Sequence, residues 1–89
     1  MKKAVGLGYE KGKDSAPKLI TKGEGLLAEK IIEIANEHGI FVKEDKTLAE
    51  ILYKLDISQE IPEELYNVIA EIFLYVYNVD KKIGIKDSE

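Results

Sequence analysis

The chain has 89 residues, 45% hydrophobic and 34% charged, with a formal net charge of −4 and no cysteine. That length is one small domain, which needs a compact core. The acidic balance excludes the basic face that nucleic-acid binding requires, since Lys2-Lys3 and Lys81-Lys82 are isolated pairs, and the lack of cysteine excludes disulfides, thiolate catalysis and Cys-built zinc sites.

Val5, Leu7 and Tyr9 alternate with Ala4, Gly6 and Gly8, the period of a strand. The glycines of its second face let another backbone come close. Residues 10–15 form a polar loop with Gly12 suited to a turn. Pro17 fixes its own φ and holds Ala16 extended, and a second strand follows over residues 18–22 around Leu19-Ile20. After Gly23 and Gly25, Leu27, Ile31, Ile34 and Ala35 recur at i, i+4, i+7 and i+8. They make one face of an amphipathic helix that Gly39 stops. Ile40-Phe41-Val42 reads as a short third strand, consecutively apolar as expected where both faces are covered. Thr47 and Glu50 have capping-box spacing and open a second helix with Leu48, Ile51, Leu52 and Leu55 on its buried face. Pro62 stands at the first position of a third helix, with Glu63 and Glu64 against the positive end of its dipole, and this helix runs to about Asn78. Residues 80–89 show no periodicity beyond Ile83 and Ile85 and are expected to be a flexible tail. The order is β-β-α-β-α-α. It predicts one α+β domain over residues 1–79, a small mixed sheet of about three strands covered by three or four helices.

The third helix carries two apolar stripes. Leu65, Ile69, Ile72 and Val76 make one; Tyr66, Ala70, Phe73 and Tyr77 make a second, one residue along. A surface helix needs a single stripe. Either the helix packs deep and has a wide core face, or the second stripe surfaces and receives an apolar partner segment. Tyr66 and Tyr77 fit both, since tyrosine tolerates a wet edge.

Catalytic patterns fail on inspection. Gly6-Leu7-Gly8 lacks the third glycine of a dinucleotide fingerprint, because Lys11 stands in its place. Lys13 is followed by Asp14 rather than the Ser or Thr of a phosphate loop. Ser15 has no positioned base, and the single histidine, His38, is explained by its place at a helix C-terminus. Glu60, Glu63 and Glu64 are explained by a solvated helix start. No catalytic, metal or cofactor site is expected, and the chain is read as a non-enzyme. The longest apolar run, over residues 72–77, falls short of the roughly 20 residues that span a bilayer. The N-terminus lacks a signal-peptide stretch, so the expected compartment is the cytoplasm.

One ordered set of segments is familiar. Val5-Gly6-Leu7-Gly8-Tyr9 is followed by Asp14-Ser15-Ala16-Pro17-Lys18, Lys22-Gly23, the helix up to Gly39, Leu48-Ala49 with Leu52-Tyr53, and Ile61-Pro62-Glu63-Glu64-Leu65-Tyr66 with Ala70-Glu71 and Val76-Tyr77. From Ala4 to Tyr77 the chain resembles the C-terminal cytoplasmic domain of the FlhB/YscU family of flagellar and type III secretion export-switch proteins. Members of that family carry four N-terminal transmembrane helices and cleave themselves within an Asn-Pro-Thr-His motif. Cleavage lets the apparatus change from early rod/hook-type substrates to later ones. This chain has no Asn-Pro pair, because Asn36, Asn67 and Asn78 are each followed by another residue. Self-cleavage is therefore not carried over. Met1, Lys2 and Lys3 stand roughly where the family's Thr-His and next residue lie, so the chain resembles the downstream cleavage product.

The resemblance has further implications. In the family a strand before the cleavage motif joins the same sheet. Here the strand from Ala4 to Tyr9 is then expected to be an open edge, free to dock on a membrane export-gate component by strand addition. The family's apolar patch for a short export signal falls on Ala16, Pro17, Ala70 and Phe73, with Tyr66 and Tyr77 flanking. Phe73 replaces a more usual aliphatic residue, which changes the pocket shape. The function implied is a non-catalytic component of the flagellar/type III export apparatus, cytoplasmic and peripheral at that apparatus, without membrane insertion or a cofactor. Its partners would be export-gate membrane proteins and rod/hook-type substrates or the hook-length ruler protein. A free cytoplasmic peptide-binding adaptor or substrate-holding factor would use the same patch without docking to the gate.

Overall fold

Period-two alternation sets the first two strands, β1 (Lys3–Gly8) and β2 (Lys18–Glu24), which pair antiparallel in the computed structural model, where residues 1–10, 12–75 and 82–87 are described. The register steps from Gly6↔Thr21 to Leu7↔Leu19. Ile20 is therefore the extra residue of a β-bulge, a device that bends a strand and re-aims a side chain. Next comes helix α1 (Leu26–Glu37), which starts after Gly25 at φ 66° and ends before Gly39 at φ 70°. Both glycines take the left-handed backbone that a side chain resists. Strand β3 (Phe41–Glu44), helix α2 (Lys46–Tyr53), a single 3₁₀ turn (Glu63–Leu65), helix α3 (Tyr66–Tyr75) and strand β4 (Lys82–Lys86) complete the order.

The fold class is α+β as expected, with four strands rather than three. The difference is β4, in the segment read from sequence as a flexible tail. β4 is an interior strand. The sheet order is β2-β1-β4-β3, with β4 antiparallel to β1 and parallel to β3. Its pattern Ile83-Gly84-Ile85 lies against Leu7-Gly6-Val5, so aliphatic meets aliphatic on one face and glycine meets glycine on the other. Ile83 and Ile85 are fully buried. The amide of Lys3 donates to the Asp87 carboxylate at 2.8 Å and locks the end of this pairing. The open edge expected along β1 is consequently absent, because β2 and β4 flank it on its two sides.

Two unequal layers cover the sheet. On one face Val5, Leu7, Leu19, Ile83 and Ile85 meet Leu48, Ala49, Leu52 and Leu55 of the α2 region and Ile61, Ile69 and Ile72 of the α3 region. Burying each such aliphatic side chain contributes about 1.5–3 kcal/mol. α2 is capped by Asp45, whose carboxylate accepts from the Leu48 amide at 3.0 Å, two residues before the Thr47 expected to open it. Ile51, expected inside, is exposed. Pro62 is extended and precedes the 3₁₀ turn. On the opposite face α1 is, among the described residues, the helix that lies against the sheet. It buries Ala28 and Ala35 and leaves Leu27 and Ile34 of its predicted apolar face 56% and 43% exposed. A Cβ at Gly23 would come within 2.6 Å of Leu27 and 2.8 Å of Ile31, so the missing side chain makes room for those two to lie over β2.

The outer edge of β2 is sealed by residues 58–61. The Leu19 amide donates to the Gln59 carbonyl at 2.9 Å, the Ser58 amide to the Leu19 carbonyl at 2.7 Å, and the Ile61 amide to the Pro17 carbonyl at 2.9 Å. Lys22 reaches over the same edge and donates to the carbonyls of Tyr53 and Leu55 at 3.1 and 2.7 Å. These are carbonyls at the end of α2 that lack helical partners.

The turn from β1 to β2 is held by Asp14. Its carboxylate accepts from the Glu10 amide at 2.9 Å and lies 3.4 Å from the Lys18 ammonium. The amide bond first, and Lys18 after it, hold the Asp14 carboxyl below its usual value.

Two outcomes follow for measurement. Ile85→Ala should lower stability to urea by about 2–5 kcal/mol, and a chain ending at residue 81 should show no cooperative unfolding by circular dichroism. Because the Asp14 pKa is depressed on folding, its contribution to holding the turn is complete above the ordinary carboxylate value of about 4. It is lost as pH falls through the lower folded value. An NMR titration should show the Glu10 amide resonance moving with that proton, and Asp14→Asn should remove the step.

Candidate functional site

Helix α3 decides which apolar side chains reach the surface. It buries Ile69 and Ile72 in the core. Val76, the last residue of their stripe, lies outside the described residues. On one flank Ala70 and Tyr66 are exposed and Phe73 is half-buried against the core cluster. On the other flank Val68 and Glu71 join Phe41, Lys43 and Asp45 around a groove of about 520 Å3.

Pro17 sits at the start of β2, half-buried, with its carbonyl held by the Ile61 amide. Ala16 is 3% exposed, so it offers a partner almost no surface. The last pair of the β1–β2 ladder is Gly8↔Lys18. Tyr9 and Pro17 lie one residue beyond it, at the same end of the sheet. The Tyr9 ring stands 6.1 Å from the Phe73 ring at a tilt of 59°, within the range of a favourable aromatic pair. Tyr9 thus links the β1–β2 end, where Pro17 lies, to α3, where Phe73 and Ala70 lie a turn apart. The sequence reading missed Tyr9 in this role and took it for a strand residue. Its signal was an aromatic at the last position of the alternating run. Tyr77, expected as a flanking contact, lies outside the described residues.

The loop beside Pro17 is tied down in its own right. Ser15 donates its hydroxyl to the Glu60 carboxylate at 2.6 Å, and Glu10 is tied to Lys13 and Asp14 by backbone and carboxylate hydrogen bonds. Among the described residues no three His, Cys, Asp or Glu side chains stand close enough to hold a metal ion, and no helix is long and apolar enough to cross a membrane.

Known proteins share the sequence and the fold of this chain. The FlhB HrpN YscU SpaS family pattern matches residues 1–76. The chain is 41% identical over 83 residues to the uncharacterized protein YlqH of Bacillus subtilis, covering 93% of this chain and 89% of that protein. It is 42% identical over 81 residues to the flagellar biosynthetic protein FlhB of the same organism, covering 90% of this chain and 22% of that much longer protein. Among solved structures, the PscU C-terminal domain superposes with a TM-score of 0.76 at 31% identity, over 83% of this chain and 95% of that one. A mutated EscU C-terminal domain superposes with a TM-score of 0.83 at 29% identity, over 90% and 99%. Sequence and fold together make this chain a member of the FlhB/YscU family, corresponding to the family's C-terminal cytoplasmic domain.

Proposed function

We propose that this chain is a non-catalytic, peptide-binding domain of the flagellar/type III export apparatus, and that it takes an apolar signal segment of rod/hook-type substrates or of the hook-length ruler protein. The reading rests on one observation: the Tyr9 ring, at the sheet end where half-buried Pro17 lies, stands against the Phe73 ring of α3, and Ala70 is exposed one turn away on the same helix. Ala16 precedes Pro17 and is buried, and Tyr66 is exposed one turn before Ala70. Such a patch suits a short segment that contributes a few side chains, with affinity concentrated in one or two anchors. Phe73 gives the site an aromatic floor, which favours partners able to stack or to place a methyl on a ring.

Self-cleavage is no part of this function, since the chain has no Asn-Pro pair. Docking to a membrane export gate by completing the sheet beside β1 is likewise no part of it, because β4 holds that position. The occupied position favours the second reading, a substrate-holding adaptor that meets the cytoplasmic side of the apparatus without lending it a strand. Co-purification from cells separates the two: an export-gate membrane protein recovered with the domain supports the switch role, and rod, hook or ruler proteins alone support the adaptor.

Ala70→Glu places a charge on the exposed helix flank. It should leave thermal unfolding within about 0.5 kcal/mol of the parent and weaken binding of synthetic rod- or hook-protein signal peptides by at least about tenfold in fluorescence anisotropy. Binding unchanged by Ala70→Glu would remove these residues from the site.

A further inference from the structure

The sheet has an edge that, among the described residues, nothing closes. β3 is its outer strand and pairs with β4 alone. The Asp45 amide points inward and donates to the Lys86 carbonyl at 2.7 Å. Backbone groups alternate along a strand, so Lys43, two residues earlier, also faces β4. Val42 and Glu44 therefore turn their N–H and C=O groups outward, where no strand pairs with them. The β2 edge differs, because residues 58–61 bond to it.

Side chains alternate as well. Phe41, Lys43 and Asp45 lie on the α3 side of the sheet, and with Val68, Glu71 and Ile72 of that helix they line the groove of about 520 Å3. The three helix residues stand at i, i+3 and i+4 and make one flank. The groove thus runs between an edge strand with outward backbone groups and a helix. In that layout an extended segment binds by strand addition, with main-chain bonds for affinity and side-chain pockets for selectivity.

Three properties select the occupant. A compact ligand leaves the backbone groups of Val42 and Glu44 unmatched, whereas an extended chain matches both. A second copy of β3 fits poorly. The antiparallel register that uses both outward residues of each copy, Val42 opposite Glu44, sets Lys43 against Lys43. A four-residue edge is also far below the roughly 20–30 residues a side of a stable dimer. Finally, the walls are unevenly charged. Lys43 is outnumbered by Asp45 and Glu71, and Glu71 is exposed and has no ion pair among the described residues. A basic residue beside an apolar anchor complements these walls.

We propose that the β3 edge accepts an extended segment of a partner protein, about four to six residues long. It pairs with the backbone of Val42 and Glu44, places an apolar side chain between Phe41, Val68 and Ile72, and sets a basic side chain toward Glu71. This site does not depend on the Ala70–Phe73 patch.

The test pans a displayed library of random 12-residue peptides on the full chain. The enriched peptides, synthesised, are followed by fluorescence anisotropy and by NMR hydrogen exchange. The expected consensus joins an apolar residue to a basic one. Bound peptide should slow exchange of the Val42 and Glu44 amides at least about tenfold, with a smaller change at Lys43, which is already in the ladder. Affinity should fall at least about tenfold in Glu71→Lys, in Glu44→Pro and for a peptide N-methylated at alternate residues, and should persist in Ala70→Glu. Glu44 is exposed and its N–H lies outside the ladder, so proline removes an outward donor and no sheet bond. Matched circular dichroism melts keep loss of binding apart from loss of fold, and Glu71→Lys tests the groove from the helix side. Unchanged exchange at Val42 and Glu44 under saturating peptide overturns the proposal, as does the absence of any enriched peptide. Affinity lost in Ala70→Glu and kept in Glu71→Lys overturns it as well. A dimer in sedimentation equilibrium that Glu44→Pro abolishes would assign the edge to a second copy of the chain and overturn it too.

Discussion

The pairing of β4 between β1 and β3 is the constraint on which the rest of the structure depends. Without it β3 has no partner in the sheet, since its ladder is with β4 alone among the described residues. The main core would lose Ile83 and Ile85 from its centre, and the α2–α3 layer would rest on a two-stranded ribbon, which is marginal in water. The parallel β3–β4 pair also explains the long connection between them. Parallel neighbours need a crossover, and α2 and α3 provide it on the face where the core then forms. α3, the last helix of this crossover, brings Phe73 against Tyr9 at the end of β1.

The sheet shows two ways of handling its edges. β2 is closed by hydrogen bonds from residues 58–61 and by Lys22, whose ammonium also lies 5.2 Å from the Tyr53 ring centre. The closure holds Ser58 at φ 74°, a conformation that costs a non-glycine residue about 1 kcal/mol or more. β3 is kept short, four residues, and carries Lys43 and Glu44, features that discourage edge-to-edge association. The faces are handled less evenly. The α2–α3 face is filled by branched aliphatics, whereas the α1 face is built on glycine and alanine, so its packing is close in the centre and unfinished at the flank.

Much of this was legible in the sequence. Alternation from Ala4 to Tyr9, Gly39 as a helix stop and the double stripe of α3 are local signals, and each has its counterpart in the structure. Three features were not legible, for one physical reason. Lys82–Lys86 has only two aliphatics around a glycine, too few for a periodicity argument. What makes it a strand is the complementary Val5-Gly6-Leu7 nearly eighty residues earlier. The inward face of α1 was misjudged because spacing identifies an apolar stripe and not the shape of the surface it meets, here a strand whose Gly23 lies under Leu27 and Ile31. Tyr9 was missed because its neighbour Phe73 comes from another element. The cap of α2 shows a smaller effect: Asp45 and Thr47 both have capping chemistry, and the hydrogen bond from Lys86, whose carbonyl accepts from the Asp45 amide at 2.7 Å, favours Asp45. For the patch, Ala70 and Phe73 were readable from helical spacing, whereas the burial of Ala16 depends on how the chain closes around it.

The contact between Lys3 and Asp87 has a consequence in time. The two residues are 84 positions apart, so the bond that fastens the first strand to the last spans almost the whole chain. Strand pairings of such separation form late, after the entropy of closing the intervening loop has been met. On a ribosome that adds about 5–20 residues each second, β1, β2 and α1 emerge first and can meet early. The sheet nevertheless stays divided until residues 82–87 are outside. During that interval β1 keeps one unpaired edge and β3 has no sheet to join, so the last six described residues complete both at once.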